Sequence, residues 1–213
     1  MSDLFRKELR LAVHPSLFVF IFLGALVLVP AYPYGVVFFF AMLGIFQSIM
    51  YARETRDIYF TALLPVRKRD VVKAKLLLAA FAQLAQLLIS IPFAFLRTLY
   101  MSEGNPAGIE ANVAYYGFGL MIFGVFNLVF FTQFFKTAYK AGAAFLVALI
   151  PAVPGIFAME AVVHFPGMEW LDGVDGTSLL RQVPILLVGA VVYAAANVLA
   201  YRIAAKRFEQ VDL

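Results

Sequence analysis

Long apolar runs alternate with short polar stretches along the whole chain, which is the pattern of a multi-pass membrane protein. At 1.5 Å per residue, a helix needs about 20 apolar residues to cross a hydrocarbon core of about 30 Å. The pattern predicts six transmembrane helices, over residues 16–29, 36–51, 71–100, 113–135, 141–163 and 183–204. The predicted fold is therefore an all-α membrane protein with residues 1–213 in a single transmembrane domain.

The composition supports this class. Of the 213 residues, 63% are hydrophobic and 14% are charged, whereas about half of a soluble domain is apolar and about a quarter is charged. The chain has no cysteine, which excludes disulfides, thiolate nucleophiles and thiolate metal sites. The net charge of +4 does not indicate nucleic-acid binding, because the basic residues follow the membrane topology.

Basic residues are concentrated on one side of this topology. On the side that holds both termini, three precede the first span, seven lie in the loop after the second, two follow the fourth and three end the chain, fifteen in all. The other side has only Arg97 and Arg181. Because cytoplasmic loops carry the excess of Lys and Arg, both termini and the 52–75 loop are predicted to face the cytoplasm.

Three further segments are predicted to lie at a membrane surface. Residues 2–14 place apolar side chains on one helical face and basic ones on another, which is typical of an interfacial helix. The fifth apolar run is expected to break at Pro151 and Pro154, so residues 154–181 are predicted to form an outer re-entrant or interfacial segment. Residues 102–112 are predicted to be a polar turn.

The 52–75 loop is the only long charged run in the sequence. Burying its charges in hydrocarbon would cost roughly 2.5–3.5 kcal/mol each, so the loop must lie at a membrane surface. Glu54 is predicted to begin a short helix that ends before Pro65, and Asp70 to begin the third span. One side of the short helix is predicted to hold Ile58, Thr61, Ala62 and Leu64.

No catalytic or nucleotide-binding motif is present. The chain lacks G-x-x-x-x-G-K-[ST], H-E-x-x-H and G-x-S-x-G, so it is not predicted to be an enzyme or to hydrolyse ATP by itself. Glu160 and His164 are four residues apart and can meet on one helical face. Two such ligands do not make a zinc site, and no metal site is predicted.

Six amide side chains lie within the predicted spans and should face protein or a cavity rather than lipid. They are Gln47, Gln83, Gln86, Asn127, Gln133 and Asn197. Two interpretations stay open for Gln83, Gln86 and Asn127. They either hold helices together by hydrogen bonds or line a translocation path.

The charged loop contains an ordered series of short motifs. It has Arg53-Glu54, then Ala62-Leu63-Leu64-Pro65-Val66-Arg67-Lys68, then Val71-Val72 and Ala74-Lys75. This series resembles the corresponding loop in the permease subunits of ABC-2-type transporters, where a glutamate after the second span is followed by a leucine-rich stretch, a Pro-Val turn, basic residues and a lysine that opens the third span. This chain departs from the family in having Arg56-Asp57 where many members carry a glycine. The small size is similar to compact bacterial members encoded beside a separate ATPase.

The resemblance implies that residues 53–66 form a cytoplasmic coupling helix and turn on which an ABC ATPase subunit docks. Glu54 and Asp57 would contact the ATPase, and residues 64–66 would fix the geometry of the loop. The residues assigned to coupling are Arg53, Glu54, Asp57, Leu64, Pro65, Val66, Arg67 and Lys68.

The resemblance also implies the wider assembly. The chain would pair with a second permease subunit, identical or different, to form the path of an exporter in a bacterial inner membrane. ATP and Mg²⁺ would bind the partner ATPase, with no cofactor in this chain and no nucleic-acid partner. An amphipathic peptide, a lipid-like molecule or a drug would each suit as cargo, and the sequence does not choose among them.

Three alternatives remain open at this stage. The basic residues from Arg67 to Lys75 would also anchor the loop on anionic membrane lipid. A six-span substrate-binding subunit of a vitamin-uptake (energy-coupling factor) system is similar in size, but needs convergent polar groups on the outer side, where this chain has few. An intramembrane enzyme or lipid scramblase is the third alternative, and an enzyme needs a paired nucleophile and base, which the sequence does not offer.

Overall fold

The structure is a computed structural model that describes residues 2–63, 65–100 and 104–211, and its regular elements are all helical. The α-helices are α1 (Ser2–Lys7), α2 (Ser16–Phe22), α3 (Gly35–Glu54), α4 (Asp57–Ala62), α5 (Lys68–Tyr100), α6 (Val113–Phe134), α7 (Ala141–Val162) and α8 (Gly176–Glu209). A π-helical turn over Glu8–Ala12 continues α1, and 3₁₀-helices cover Leu23–Leu28 and Glu169–Leu171. The predicted all-α class is confirmed for these residues.

Five helices, α3, α5, α6, α7 and α8, are long and apolar enough to cross a membrane. The N-terminal region gives a sixth candidate span only if Leu4–Ala12 and Ser16–Leu28 are counted together, and these two are bent by 96°. The described residues therefore contain five candidate spans, or six with the bent pair. With 33 and 34 residues, α5 and α8 exceed the length that a bilayer requires, so they must tilt or protrude.

The fifth apolar run is one continuous helix. Both Pro151 and Pro154 lie inside α7, so the break predicted at these prolines is wrong. Membrane helices tolerate internal proline because neighbouring helices and local adjustments satisfy the freed backbone groups. Residues 154–162 consequently belong to α7, and only residues 163–175 form the connection to α8.

The centre of the bundle is α6, which packs along α8 and α7. Small residues permit the approach to α8, because a Cβ at Gly117 would lie 2.8 Å from the backbone of Ile185, and one at Gly189 only 2.2 Å from the carbonyl oxygen of Gly117. This is the close packing that small residues allow between membrane helices. The other side of α6 is filled by buried rings, those of Phe123, Phe126, Phe130, Phe131 and Phe134.

Contacts between distant segments define two ends of the bundle. At the terminal end, Lys68 Nζ donates to the carbonyl oxygen of Val211 at 2.6 Å, and Arg207 donates to that of Thr132. Residues near the two ends of the chain and the charged loop meet there. At the distal end, the residues before α3, residues 104–112 and residues 163–175 come together.

The segment before α6 differs from the polar turn that the sequence predicts. Its described part, residues 104–112, is mostly buried and makes hydrogen bonds to several other segments. Asn112 ends it and caps α6, because its side chain accepts a hydrogen bond from the Tyr115 amide at 3.1 Å.

Candidate functional site

Four charged side chains from three segments form a buried cluster at the terminal end. These residues, called the charge cluster below, are Lys7, Glu8, Asp57 and Lys75. The ammonium of Lys75 lies 3.0 Å from Glu8 Oε2 and 3.2 Å from Asp57 Oδ2. The ammonium of Lys7 lies 3.0 Å from Glu8 Oε1 and 2.7 Å from Asp57 Oδ1. Each lysine therefore bridges both carboxylates, and the formal charges balance.

The charge cluster fixes the inner face of α4. Lys75 is only 1% exposed, and Lys7 Nζ also donates to Thr61 Oγ1 at 2.8 Å. Burial acts to raise the pKa of Asp57, but Lys75 and Lys7 outweigh it and hold this pKa below its usual range. Because the ionised carboxylate is the favoured form, α4 is tied through charge to α5 and to the N-terminal segment.

The outer face of α4 carries large apolar side chains. Tyr59, Phe60 and Leu63 are 51%, 59% and 85% exposed, respectively. They stand at the end of the bundle that holds most of the charges. An apolar patch with a charged surround is typical of a contact surface for a partner or for lipid.

The start of α4 differs from the sequence prediction. Glu54 is the last residue of α3, and α4 begins at Asp57, so the prediction that Glu54 begins the short helix is wrong. The break comes at Arg56, whose φ of 54° and ψ of 30° are left-handed. This conformation costs a non-glycine residue about 1–2 kcal/mol, so glycine would be less strained than arginine at this position.

An open cavity of about 580 Å³ lies beside α4. The Arg53 guanidinium stands over the ring of Tyr139 at 5.2 Å, and Glu54 Oε1 is 4.0 Å from Arg53 Nη2. Arg56 and Tyr59 complete the lining. The cavity thus presents both signs of charge and two aromatic rings, an arrangement that can receive charged side chains of a partner.

The predicted turn after α4 is only partly described. Leu64 lies outside the described residues, Pro65 is exposed, and Val66 is half-buried against the core. Ile58 and Thr61 are buried on the inner side of α4, as the sequence predicts.

The basic residues that follow this turn contact the chain itself. Arg67 Nε donates to Asp70 Oδ2 at 2.9 Å. Besides its bond to Val211, Lys68 has its ammonium 5.7 Å from the centre of the Phe208 ring. The structure therefore places Arg53 and Glu54 at the cavity and Asp57 in the charge cluster. Arg67 lies at the start of α5, and Lys68 contacts residues near the C-terminus.

The buried amides of the spans bond mainly to one another. Gln83 and Asn127 exchange two hydrogen bonds of 2.9 Å. Asn127 also donates to Asn197 at 3.0 Å, and the Tyr193 hydroxyl donates to Gln83 at 3.0 Å, which joins α5, α6 and α8. Gln86 lies apart and donates to a backbone carbonyl of α2 at 2.9 Å.

Sequence reasoning missed the charge cluster as a site. It places Lys75 in the surface loop, although Leu76, Leu77 and Leu78 follow at once. A lysine that leads directly into an apolar helix is a signal for a buried carboxylate partner. The pairing with Glu8 is not legible in the sequence, because the two residues are 67 positions apart.

Comparison with known protein families gives a match over nearly the whole chain. A family model described as ABC-2 family transporter protein matches residues 3–209, a range that includes the charge cluster, α4 and the cavity. No curated protein matches the chain, and no solved structure matches it.

Proposed function

Because this chain belongs to the ABC-2 transporter family and is a multi-pass permease, we propose that it is the membrane subunit of an ATP-driven exporter. It pairs with a second permease subunit, identical or different, to form the translocation path. A separate ABC ATPase binds ATP and Mg²⁺ and supplies the energy. The complex resides in a bacterial inner membrane, with the terminal end in the cytoplasm.

The orientation rests on the charge distribution. Fifteen basic residues belong to the terminal side of the topology, against Arg97 and Arg181 on the distal side. The positive-inside rule favours the cytoplasm for the side with this excess. The terminal end is then also the side on which a cytoplasmic ATPase can dock.

The main support for the proposal is that the two faces of α4 differ. Its inner face is held by the charge cluster, while Tyr59, Phe60 and Leu63 project outward. In our proposal the ATPase docks on this outer face and on the adjoining cavity, where Arg53 and Glu54 pair with charges of the partner. Charge-assisted contacts of this kind contribute about 1.5–3 kcal/mol each.

The charge cluster gives the docked surface its mechanical connection. Removing one partner of a buried ion pair costs roughly 3–5 kcal/mol, so α4 and α5 should move as a unit when the ATPase closes. Asp57 accordingly takes a positioning role in this proposal, rather than the direct contact with the ATPase that the resemblance implies. Lys7 and Glu8 extend the same connection to the N-terminal segment.

The remaining coupling residues take supporting roles. Pro65 and Val66 set the turn into α5, and Arg67 and Lys68 fix that turn to the start of α5 and to the C-terminal residues. Basic side chains that stay exposed at this end add attraction to anionic lipid.

For Gln83, Gln86 and Asn127 we propose a structural role. Their side chains donate to one another or to backbone, which leaves few of their hydrogen-bonding groups for a moving cargo. Interhelical hydrogen bonds of this kind contribute roughly 0.6 kcal/mol on average.

Purification of the tagged chain in mild detergent tests the proposal. We expect a P-loop ATPase to co-purify, and the complex to hydrolyse ATP while the permease alone does not. ATP turnover by the permease free of other subunits, or a preparation in which no ATPase is found under any mild extraction, would contradict it.

A further inference from the structure

A segment of irregular backbone is buried in the distal end of the bundle. Within residues 105–112, Asn105 is 4% exposed, Ile109 0%, Glu110 9% and Asn112 5%. Buried backbone outside helices and strands needs partners for its N–H and C=O groups, so such a segment persists only where other residues supply them.

Several separate elements supply these partners. Asn105 donates to the backbone carbonyl of Tyr32, before α3, at 3.0 Å. Arg97, near the end of α5, holds the carboxylate of Glu110 through two hydrogen bonds of 3.0 and 3.2 Å. The backbone amide of Glu110 donates to Asp172 at 2.7 Å, which adds the connection between α7 and α8.

The connection between α7 and α8 also binds the C-terminal end of residues 105–112. Asn112 donates to the backbone carbonyls of Leu171 and Gly173 at 2.7 and 3.2 Å. Residues 105–112 are thus held from α5, from the residues before α3 and from the residues before α8.

Glu160, near the end of α7, contacts both the buried segment and α3. One carboxylate oxygen accepts a hydrogen bond from the Ile109 amide at 3.1 Å, and the other accepts one from the amide of Gly35 at the start of α3. The fit is tight, because a Cβ at Gly108 would lie 1.8 Å from Glu160 Oε2. A single carboxylate therefore joins α7, α3 and the buried segment.

We propose that residues 105–112 form a plug that holds the distal ends of α3, α5 and α7 together, and that Glu160 is the residue that locks it; release of the plug frees these helix ends, so that the path between the two permease subunits can open there. This inference rests on the proposed function, in which cargo leaves at the distal end. Movement of α7 away from α3 must break one of the two hydrogen bonds of Glu160. Because α3 leads directly into the docking surface at its other end, motion driven by the ATPase can reach this lock.

Glu160→Gln tests the two hydrogen bonds of the lock with little change in side-chain size. Glutamine is almost the same size as glutamate, but it offers one acceptor oxygen and one NH₂ group. One of the two amides then faces a donor instead of an acceptor. Leaving a buried group unsatisfied favours the released plug by a factor on the order of ten.

Cysteine labelling of the full chain in lipid nanodiscs tests the proposal, since the natural sequence contains no cysteine. Ile109→Cys reports on the buried plug, and Gly104→Cys is the control, because Gly104 is exposed and a Cβ there meets nothing within 4 Å. The labelling rate with a soluble maleimide is measured for both, with and without Glu160→Gln. Nanodiscs admit the reagent from both sides, so the result does not depend on topology.

We expect Ile109→Cys to label slowly and Glu160→Gln to raise its rate about tenfold, with Gly104→Cys unchanged. Gly108→Ala, which crowds the carboxylate without removing it, should act in the same direction and serves if Glu160→Gln does not fold. In the complex with the co-purified ATPase, trapping with ATP and vanadate should also raise the rate.

Two results would overturn the inference. Equal rates for Ile109→Cys with and without both substitutions would show that Glu160 locks nothing. A faster rate with the substitutions, but the same slow rate in every nucleotide state of the complex, would show that the segment is a fixed part of the fold. If no ATPase co-purifies with the permease, the proposed function is wrong. Labelling of the permease alone, with and without the substitutions, would still test whether Glu160 holds the plug.

Discussion

The ammonium of Lys75 lies 3.2 Å from Asp57 Oδ2, which joins the first residue of α4 to the buried side of α5. Glu8 completes the contact from the N-terminal segment at 3.0 Å. A short surface helix is thereby held by charge to a helix long enough to span the membrane. The arrangement explains how a helix of 6 residues, too short to be stable by itself, keeps one orientation.

Loss of Lys75 should destabilise the protein strongly. Lys75→Met keeps the length of the side chain but leaves the carboxylates of Glu8 and Asp57 with Lys7 alone. We expect a cost of about 3–5 kcal/mol and a fall in Tm on the order of 10 °C in detergent. Lys73→Met is the matched control on the same helix, because Lys73 is exposed and makes no ion pair within the described residues. Equal Tm values for the two variants would contradict a stabilising role of the charge cluster.

The left-handed backbone at Arg56 predicts an unusual order of stabilities. Arg56→Gly removes the Cβ that is strained at φ 54°, whereas Arg56→Ala removes the same charge and keeps the strain. We expect the glycine variant to be about 1 kcal/mol more stable than the alanine variant, measured by thermal unfolding. An alanine variant as stable as the glycine variant would show that this turn is not strained.

The sequence predicts the positions of the spans because long apolar runs are a strong signal for membrane helices. Apolar runs predict α6 almost to the residue, and Asn112 caps it. The continuity of α7 is not predictable from local rules, since Pro151 and Pro154 disfavour a helix unless its neighbours compensate. Tertiary packing overrides the local preference in this case.

The sites depend on contacts between residues far apart in sequence, and they are correspondingly harder to predict. The motif around Glu54 marks the surface that we propose for docking, but nothing local shows that Asp57 points inward to Lys75. Likewise, the polar composition of residues 102–112 predicts an exposed turn. The burial found within residues 105–112 depends on Glu160, Arg97 and other partners supplied by distant segments.

The amide network makes a prediction that separates its two interpretations. Asn127→Leu leaves Gln83 and Asn197 without their partner, so a structural role predicts a loss of about 1–2 kcal/mol in the free energy of unfolding. Gln133→Leu on the same helix is the control, because the Gln133 side chain makes no hydrogen bond within the described residues. A variant that unfolds like the wild type but exports poorly would instead support a place on the translocation path.

Topology is testable with single cysteines, because the natural sequence contains none. Arg69→Cys should react with an impermeant maleimide only after the cells are permeabilised. On the distal side Val174 is a suitable position because its side chain is exposed, whereas the nearby Asp172 is half-buried and accepts a hydrogen bond from the Glu110 amide. Val174→Cys should label in intact cells. Labelling of both from outside would contradict the proposed orientation.

The most direct test of the account is the amount of ATPase that co-purifies with variants of the docking surface. We expect Glu54→Ala and Phe60→Ala each to reduce it about tenfold or more, because each removes an exposed side chain whose contact with the ATPase contributes about 1.5 kcal/mol or more. Phe95→Ala, on the exposed apolar side of α5, should behave as the wild type does. If the charged loop serves instead as a lipid anchor, Lys68→Ala should weaken the attraction of the loop to anionic lipid, whereas Glu54→Ala should not. If Glu54→Ala and Phe60→Ala retain as much ATPase as the wild type, the assignment of this surface to ATPase docking is wrong.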